Sequence, residues 1–229
     1  MNPVFCAIDT QNLIAASSLV SSLRSNVGGI KLGLEFFTAH GVAGYHTIAG
    51  KGLPIFLDLK LHDIPNTVAG AVTSLLHLQP AFMTIHASGG PAMMRAAADA
   101  AANAGANRPK LLAVTVLTSL DSADLSAVGQ DADTTRQVVR LAKLAEANGI
   151  DGVICSPEEI PALRAALGKD FILMVPGIRP AWADANDQKR TLTPRQACDA
   201  GANYLVIGRP ITKAANPAEA AQRIAAELA

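Results

Sequence analysis

At 229 residues, half of them hydrophobic, the chain carries enough apolar material for a substantial core, and its length fits a single α/β-barrel domain over 1–229. Lys plus Arg and Asp plus Glu number 19 each, so the net charge of zero excludes the basic field that nucleic acid or an acidic membrane surface requires. Small molecules or a second copy of the chain are the expected partners.

Cys6, Cys155 and Cys198 are far apart and lack C-x-x-C spacing, so they read as buried thiols in a reducing compartment. The first nine residues lack the basic region and long apolar core of a signal peptide, and a cytoplasmic location is expected. No Lys, Arg, Asp or Glu lies between Ile64 and Met94, but Pro65, Pro80, Pro91 and the Gly89-Gly90 pair interrupt that stretch. A spanning helix needs about 20 continuous apolar residues.

Short β-rich runs alternate with Ala/Leu-rich helical runs. Residues 4–8 form the first expected strand, closing on Asp9, and 11–25 a helix with apolar positions at helical spacing. A short second strand, 29–33, carries Lys31; a broken helix over 36–51 precedes the third strand, 54–59, and its helix, 67–78. The fourth strand, 82–86, leads to Gly89-Gly90 and a helix over 91–103, and the fifth, 111–117, to Thr118-Ser119 and a polar loop. Then come a helix over 134–148, a sixth strand at 152–155, a helix over 157–167 and a seventh strand at 171–175. A long polar segment, an eighth strand at 204–207 and an amphipathic helix over 217–228 complete the pattern.

Eight strands alternating with helices predict a parallel sheet closed into a (β/α)8 TIM barrel, which leaves no edge strand. An open doubly wound sheet is the rival, but the chain lacks a G-x-G-x-x-G turn after its first strand and lacks a P-loop. Catalytic groups of barrels sit at the C-terminal ends of strands. Asp9, Lys31, Asp58, Lys60, Thr118 and Arg209 all fall there.

The densest of these ends follows the third strand. Ile55, Phe56 and Leu57 read as buried on both faces, and strand side chains two apart share a face, so Asp58 and Lys60 are expected side by side. Asp63 falls just before Pro65, which suits the first turn of a helix. A helix N-cap accounts for Asp63 alone, and an ordinary strand-end ion pair for Asp58 with Lys60. Yet two carboxylates and a lysine where a buried strand opens are costly, and such clusters concentrate at functional sites.

Barrels often hold phosphate with the loops after strands seven and eight. Gly208 lets the backbone approach an anion and Arg209 can fork onto its oxygens, although a solvated Gly-Arg turn fits the same residues. After strand seven, Pro176-Gly-Ile-Arg179-Pro180 opens a segment running through Gln188-Lys189-Arg190. Its length suits a lid or binding loop, with Arg179 and Gln188 facing the ligand and Trp182 as packing; a variable surface insertion is the plainer account. His86 fits either a hydrogen-bonded barrel histidine or a group lining the site.

The run Phe56-Leu-Asp-Leu-Lys-Leu-His-Asp-Ile-Pro-Asn-Thr67 resembles the D-x-K-x-x-D-I-P-x-T signature of the orotidine 5'-phosphate decarboxylase family. Asp9, Lys31, Thr118, Pro176-Gly-Ile-Arg179, Gln188 and Gly208-Arg209 also stand where that family's pattern wants them, so the resemblance spans nearly the whole chain. It implies a decarboxylation of orotidine 5'-monophosphate to UMP, the last step of de novo pyrimidine nucleotide synthesis, with no cofactor and no metal. Lys31, Asp58, Lys60 and Asp63 would form an alternating charge network. The resemblance further implies a homodimer in which Asp63 and Thr67 reach across the interface. Asp9 and Lys31 would hold the ribose hydroxyls, and Thr118 would lie beside the pyrimidine. Gln188 and Arg209, helped by Arg179 and the Gly208 amide, would hold the 5'-phosphate.

The residue types suit that chemistry. Loss of CO2 from C6 leaves a carbanion with little ring delocalisation, which an ammonium at Lys60 would stabilise and then protonate. Asp58 beside the substrate carboxylate would disfavour the ground state. Two rivals stay open. Sugar-phosphate enzymes of the same superfamily, such as 3-keto-L-gulonate 6-phosphate decarboxylase and hexulose-phosphate synthase, share D-x-K-x-x-D and use Mg2+, for which His62, Asp58 and Asp63 offer ligands. Against them stand Ile64-Pro-Asn-Thr67 and a lysine amid the carboxylates. A catalytically silent nucleotide-phosphate binding protein is the second.

Overall fold

The computed structural model describes residues 2–183 and 192–228. The strands are β1 (Val4–Ala7), β2 (Gly29–Gly33), β3 (Ile55–Leu61), β4 (Phe82–His86), β5 (Lys110–Val114), β6 (Gly152–Ile154), β7 (Ile172–Val175) and β8 (Tyr204–Ile207). They pair in parallel in chain order, and β8 returns to β1 and closes the expected (β/α)8 barrel. Around it run α1 (Leu13–Leu23), α2 (Leu34–Ala49), α3 (Pro65–Leu75), α4 (Gly90–Ala102), α5 (Ser122–Ala127), α6 (Thr134–Glu146), α7 (Ile160–Ala166), α8 (Pro194–Ala200), α9 (Arg209–Thr212) and α10 (Pro217–Glu227). Among the described residues no helix is long and apolar enough to cross a membrane.

Local chemistry sets the element ends. Asn12 caps α1, its Oδ1 accepting from the Ala15 amide at 2.9 Å, and the helix buries Ala16, Val20 and Leu23. The break expected in the second helix is Gly41, whose φ of 56° lies in the left-handed region. β5 stops three residues short of expectation, and just past its end the Thr115 hydroxyl donates to the Ile154 carbonyl at 3.1 Å. α5 lies inside the expected polar loop and α8 at the end of the long segment after β7. Both start on capping boxes, Asp121 with Asp124 and Thr193 with Gln196.

Two apolar layers follow from strand alternation. Outward residues such as Ile30, Leu57, Met83 and Leu111 join helix residues such as Val20, Val72, Met93 and Ala97 in the larger core. Inward residues Phe5, Ala7, Phe56, Phe82, Leu112, Met174 and Val206 fill the barrel. Phe5, Phe56, Phe82 and Tyr204 meet edge to face with centroids 5.0 to 6.4 Å apart, the geometry their quadrupoles favour. Gly29 makes room for this plug: a Cβ there would lie 2.2 Å from Phe5 Cε1. The next inward position after Phe56 is Asp58, after Phe82 Thr84, and after Leu112 Val114, so the plug is the floor on which the barrel mouth is built.

Candidate active site

Three strand ends bring alternating charges into one line. Lys31 of β2 places its Nζ 3.3 Å from Asp9 Oδ1 and 3.6 Å from Asp58 Oδ2, and Lys60 Nζ lies 2.8 Å from the same Asp58 oxygen. Asp58 is only 6% exposed, so its carboxylate depends on these partners. Burial is the largest influence and pushes its pKa up, but the Lys31 and Lys60 charges and the hydrogen bonds from Lys60 and Thr84 together hold it below the usual carboxylate value.

Asp58 and Lys60 do meet, but not through plain strand alternation. Lys60 has a φ of 53°, and the β3–β4 register slips between Leu57 and Leu61. The Lys60 amide donates to Thr84 Oγ1 at 2.9 Å, and the Thr84 hydroxyl donates to Asp58 Oδ1, also at 2.9 Å. Asp63 is exposed and forms no ion pair with Lys60 of its own chain among the described residues. Nor is it the N-cap of α3: Ile64 holds that place, and Asp63 Oδ1 accepts from the Ile64 amide at 2.6 Å. Thr67, in the first turn of α3, is exposed as well.

The line of charges borders a cavity of about 210 Å³. Lys31, Asp58, Lys60 and Thr118 supply its polar wall; Phe56, Val114, Val116, Leu117, Ile154, Cys155, Pro176 and Val206 supply the rest. That volume falls below the ~300 Å³ typical of pockets that enclose a whole drug-sized ligand. Cys155 is a buried thiol whose pKa burial pushes well up, with Glu159 adding to the rise, so it presents a neutral wall. Cys6 is likewise buried, pushed up to about 12 chiefly by burial, and Cys198 is half-buried; all three are free thiols. His86 stacks on His62 with centroids 5.2 Å apart, and burial, then the neighbouring His62 and Lys60, lower its pKa.

Adjacent strands β7 and β8 carry the remaining expected groups. Arg179 is buried, its amide donating to the Leu192 carbonyl at 3.0 Å across the neck of the segment after β7. Gly208 precedes α9, which opens with the exposed Arg209. Gln188 lies outside the described residues. Trp182 sits at the foot of the same segment, its indole Nε1 donating to Glu227 Oε1 at 3.1 Å beneath the Arg223 guanidinium, 4.3 Å from the ring. From the returning leg, Arg195 Nε donates to the Glu227 main-chain oxygen at 3.1 Å.

Sequence reasoning missed Thr84 and Ile154, and read Cys155 as a buried thiol without placing it at the cavity wall. Period-two alternation from Phe82 could have flagged Thr84 as inward-facing; which atoms it touches depends on the register slip. Among the described residues no three His, Cys, Asp or Glu side chains converge as a metal-binding group.

Comparison with known proteins bears on this constellation. A family model described as "Orotidine 5'-phosphate decarboxylase / HUMPS family" matches residues 2–224. Orotidine 5'-phosphate decarboxylase of Paramagnetospirillum magneticum is 56% identical over 232 residues, covering 100% of this chain and 99% of its own. That of Rhodospirillum rubrum is 53% identical, with 99% and 94% covered. Among solved structures, orotidine 5'-phosphate decarboxylase from Lactobacillus acidophilus superposes with a TM-score of 0.86 at 39% identity over 99% of each chain.

Proposed function

The chain belongs to the orotidine 5'-phosphate decarboxylase / HUMPS family and is a carboxy-lyase, and on that footing we propose that it converts orotidine 5'-monophosphate to UMP and CO2, without a cofactor, through a C6 carbanion that Lys60 stabilises and protonates. The reaction belongs to pyrimidine nucleotide synthesis, and the enzyme works in the cytoplasm. The observation that carries the mechanism is the buried Asp58 carboxylate held between the Lys31 and Lys60 ammonium groups at the cavity wall.

The C6–carboxylate bond breaks, CO2 leaves without the bonding electrons, and the pair remains on C6. The Lys60 ammonium offsets this charge as it develops and gives up a proton to form the C6–H bond; the amine then regains a proton from solvent. Asp58 both holds Lys60 and faces the departing carboxylate, so the charge repulsion is relieved as CO2 forms. A fixed charge stabilises the transition state without reorganising, which is where such groups gain over water.

Asp9 and Lys31 hold the ribose hydroxyls and Thr118 lies beside the pyrimidine. Arg209, with Arg179, the Gly208 amide and Gln188, binds the 5'-phosphate; the position of the two arginines at the ends of paired strands β7 and β8 supports this. The active form is a homodimer in which Asp63 of the partner subunit completes the charge network and Thr67 reaches across beside it. Support comes from the exposed stretch that holds them: Asp63 stands clear of its own Lys60, and Ile64 is 66% exposed. An apolar side chain so placed gains from a covering surface.

Turnover of orotidine 5'-monophosphate, followed by ultraviolet absorbance with and without EDTA, tests the reading. Turnover unaffected by EDTA is expected. Loss with EDTA would overturn the cofactor-free reading, and no turnover at all would overturn orotidine 5'-monophosphate as the substrate.

A further inference from the structure

We propose that Thr84 is a positioning residue for the decarboxylation, its hydroxyl tying the Asp58 carboxylate to the Lys60 main chain so that both side chains stand in the reacting geometry. The inference rests on the reading that Asp58 and Lys60 carry the chemistry.

Strand register is the first ground. Leu57 pairs with Met83 and Leu61 with Ile85, so Asp58, Leu59 and Lys60 on β3 face Thr84 alone on β4. β3 therefore bulges at the catalytic pair, as strands do where a side chain is re-aimed. Within the bulge Lys60 adopts a φ of 53°, a region that non-glycine residues avoid unless the surroundings hold them there.

Thr84 supplies that hold. The Lys60 amide, displaced from the ladder, finds its acceptor in Thr84 Oγ1 at 2.9 Å, and the hydroxyl's own proton goes to Asp58 Oδ1 at 2.9 Å. One hydroxyl both accepts and donates. Thr84 is 1% exposed, so no bulk water stands by to replace it. Fixing Oδ1 settles the rotation of the carboxylate and leaves Oδ2 to Lys60 at 2.8 Å and Lys31 at 3.6 Å. The left-handed turn at Lys60 meanwhile directs its ammonium back toward the residue two positions earlier. A valine of the same shape would fill the space and do neither.

The test compares Thr84→Val, which removes the hydroxyl, with Thr84→Ser, which keeps it, with Lys60→Ala measured alongside. For Thr84→Val, kcat is expected to fall about tenfold or more while KM and the Kd of UMP stay within about threefold, since a misplaced pair weakens the transition state rather than ground-state binding. Thr84→Ser should stay within about threefold of wild type in kcat. The kcat–pH profile gives an independent readout: without the hydroxyl the Asp58 carboxylate loses a donor, and its acid limb moves to higher pH. Asp58 is faced there by Lys31 of β2, itself paired with Asp9, by Lys60 of β3, and by His86 of β4, which stacks on His62. If Thr84→Val does not fold, Thr84→Ala against Thr84→Ser carries the same contrast. Wild-type kcat and pH profile in Thr84→Val, or equal loss in Thr84→Ser, would overturn the role of Thr84 while an inactive Lys60→Ala left the mechanism standing. An active Lys60→Ala would overturn the mechanism itself and this inference with it.

Discussion

Replacing Lys60 with alanine tests the mechanism at its centre. The substitution removes the ammonium 2.8 Å from Asp58 Oδ2 but leaves Lys31 at 3.6 Å and the Thr84 hydroxyl on Oδ1, so the buried carboxylate keeps two partners and the barrel folds. Loss of one charge-assisted hydrogen bond should cost about 1.5–3 kcal/mol of stability. Catalysis should lose far more. General-acid transfer contributes about 10²–10⁴ and preorganised charge about 10²–10³, so turnover should fall by at least about 10⁴, or roughly 5 kcal/mol. Binding of UMP, measured by calorimetry, should stay within about tenfold, because the ammonium acts mainly in the transition state. The stability loss has a pH signature. The folded pKa of Asp58 is depressed, so the group stabilises the fold above its unfolded pKa and that contribution is lost as pH falls through the folded value. Lys60→Ala depresses it less, so the stability gap to wild type should be full at neutral pH and shrink through the carboxylate range. Retention of a tenth of wild-type turnover, followed by loss of substrate absorbance, would refute the assignment.

Mixing Lys60→Ala and Asp63→Ala chains should restore activity, because one of the two sites in each heterodimer then carries both intact residues; proven heterodimers without recovery would put Asp63 in its own subunit's site. Arg209→Ala should lower kcat/KM on the order of 10²-fold or more through loss of a charged phosphate contact, and orotidine without its phosphate should lose still more, partly restored by free phosphite. A neutral Arg209→Ala, or a phosphate-free substrate that turns over as well, would remove the phosphate from this strand end. Phe56→Ala opens the aromatic plug two residues before Asp58, at a cost of about 3–5 kcal/mol; a melting temperature unchanged within about 1 °C would mean that the plug does not stabilise the barrel.

The barrel was legible because strand and helix periods differ: runs such as Phe82 to His86 and Tyr204 to Ile207 are short, apolar and bounded by turn residues, and the structure keeps those bounds. Helices α5 and α8 were readable in principle from Asp121 with Asp124 and Thr193 with Gln196, capping spacings that a surrounding polar composition hid. The meeting of Asp58 and Lys60 was reached by alternation, whereas the structure achieves it through a bulge and a left-handed residue. Local spacing cannot carry that information, because a bulge is a mismatch between two strands separated by α3. For the same reason Thr84 stayed out of view: its partners are decided by register. The plainer alternative for Asp63, a helix N-cap two residues before Pro65, fails because Ile64 holds the helix entry while Asp63 Oδ1 accepts from the Ile64 amide.

Trp182 is the chain's single tryptophan, and its surroundings make it an optical probe with no background. The indole is bonded to Glu227 and covered by Arg223 on α10, and Glu227 also receives Arg195 from the far leg of the same segment. Emission from this one ring therefore reports whether the base of that segment is seated on the terminal helix. Titration of unlabelled protein with UMP tests whether filling the proposed site moves that base. In denaturant, a shift in emission that precedes the loss of far-ultraviolet dichroism would record the terminal helix detaching while the barrel is still closed.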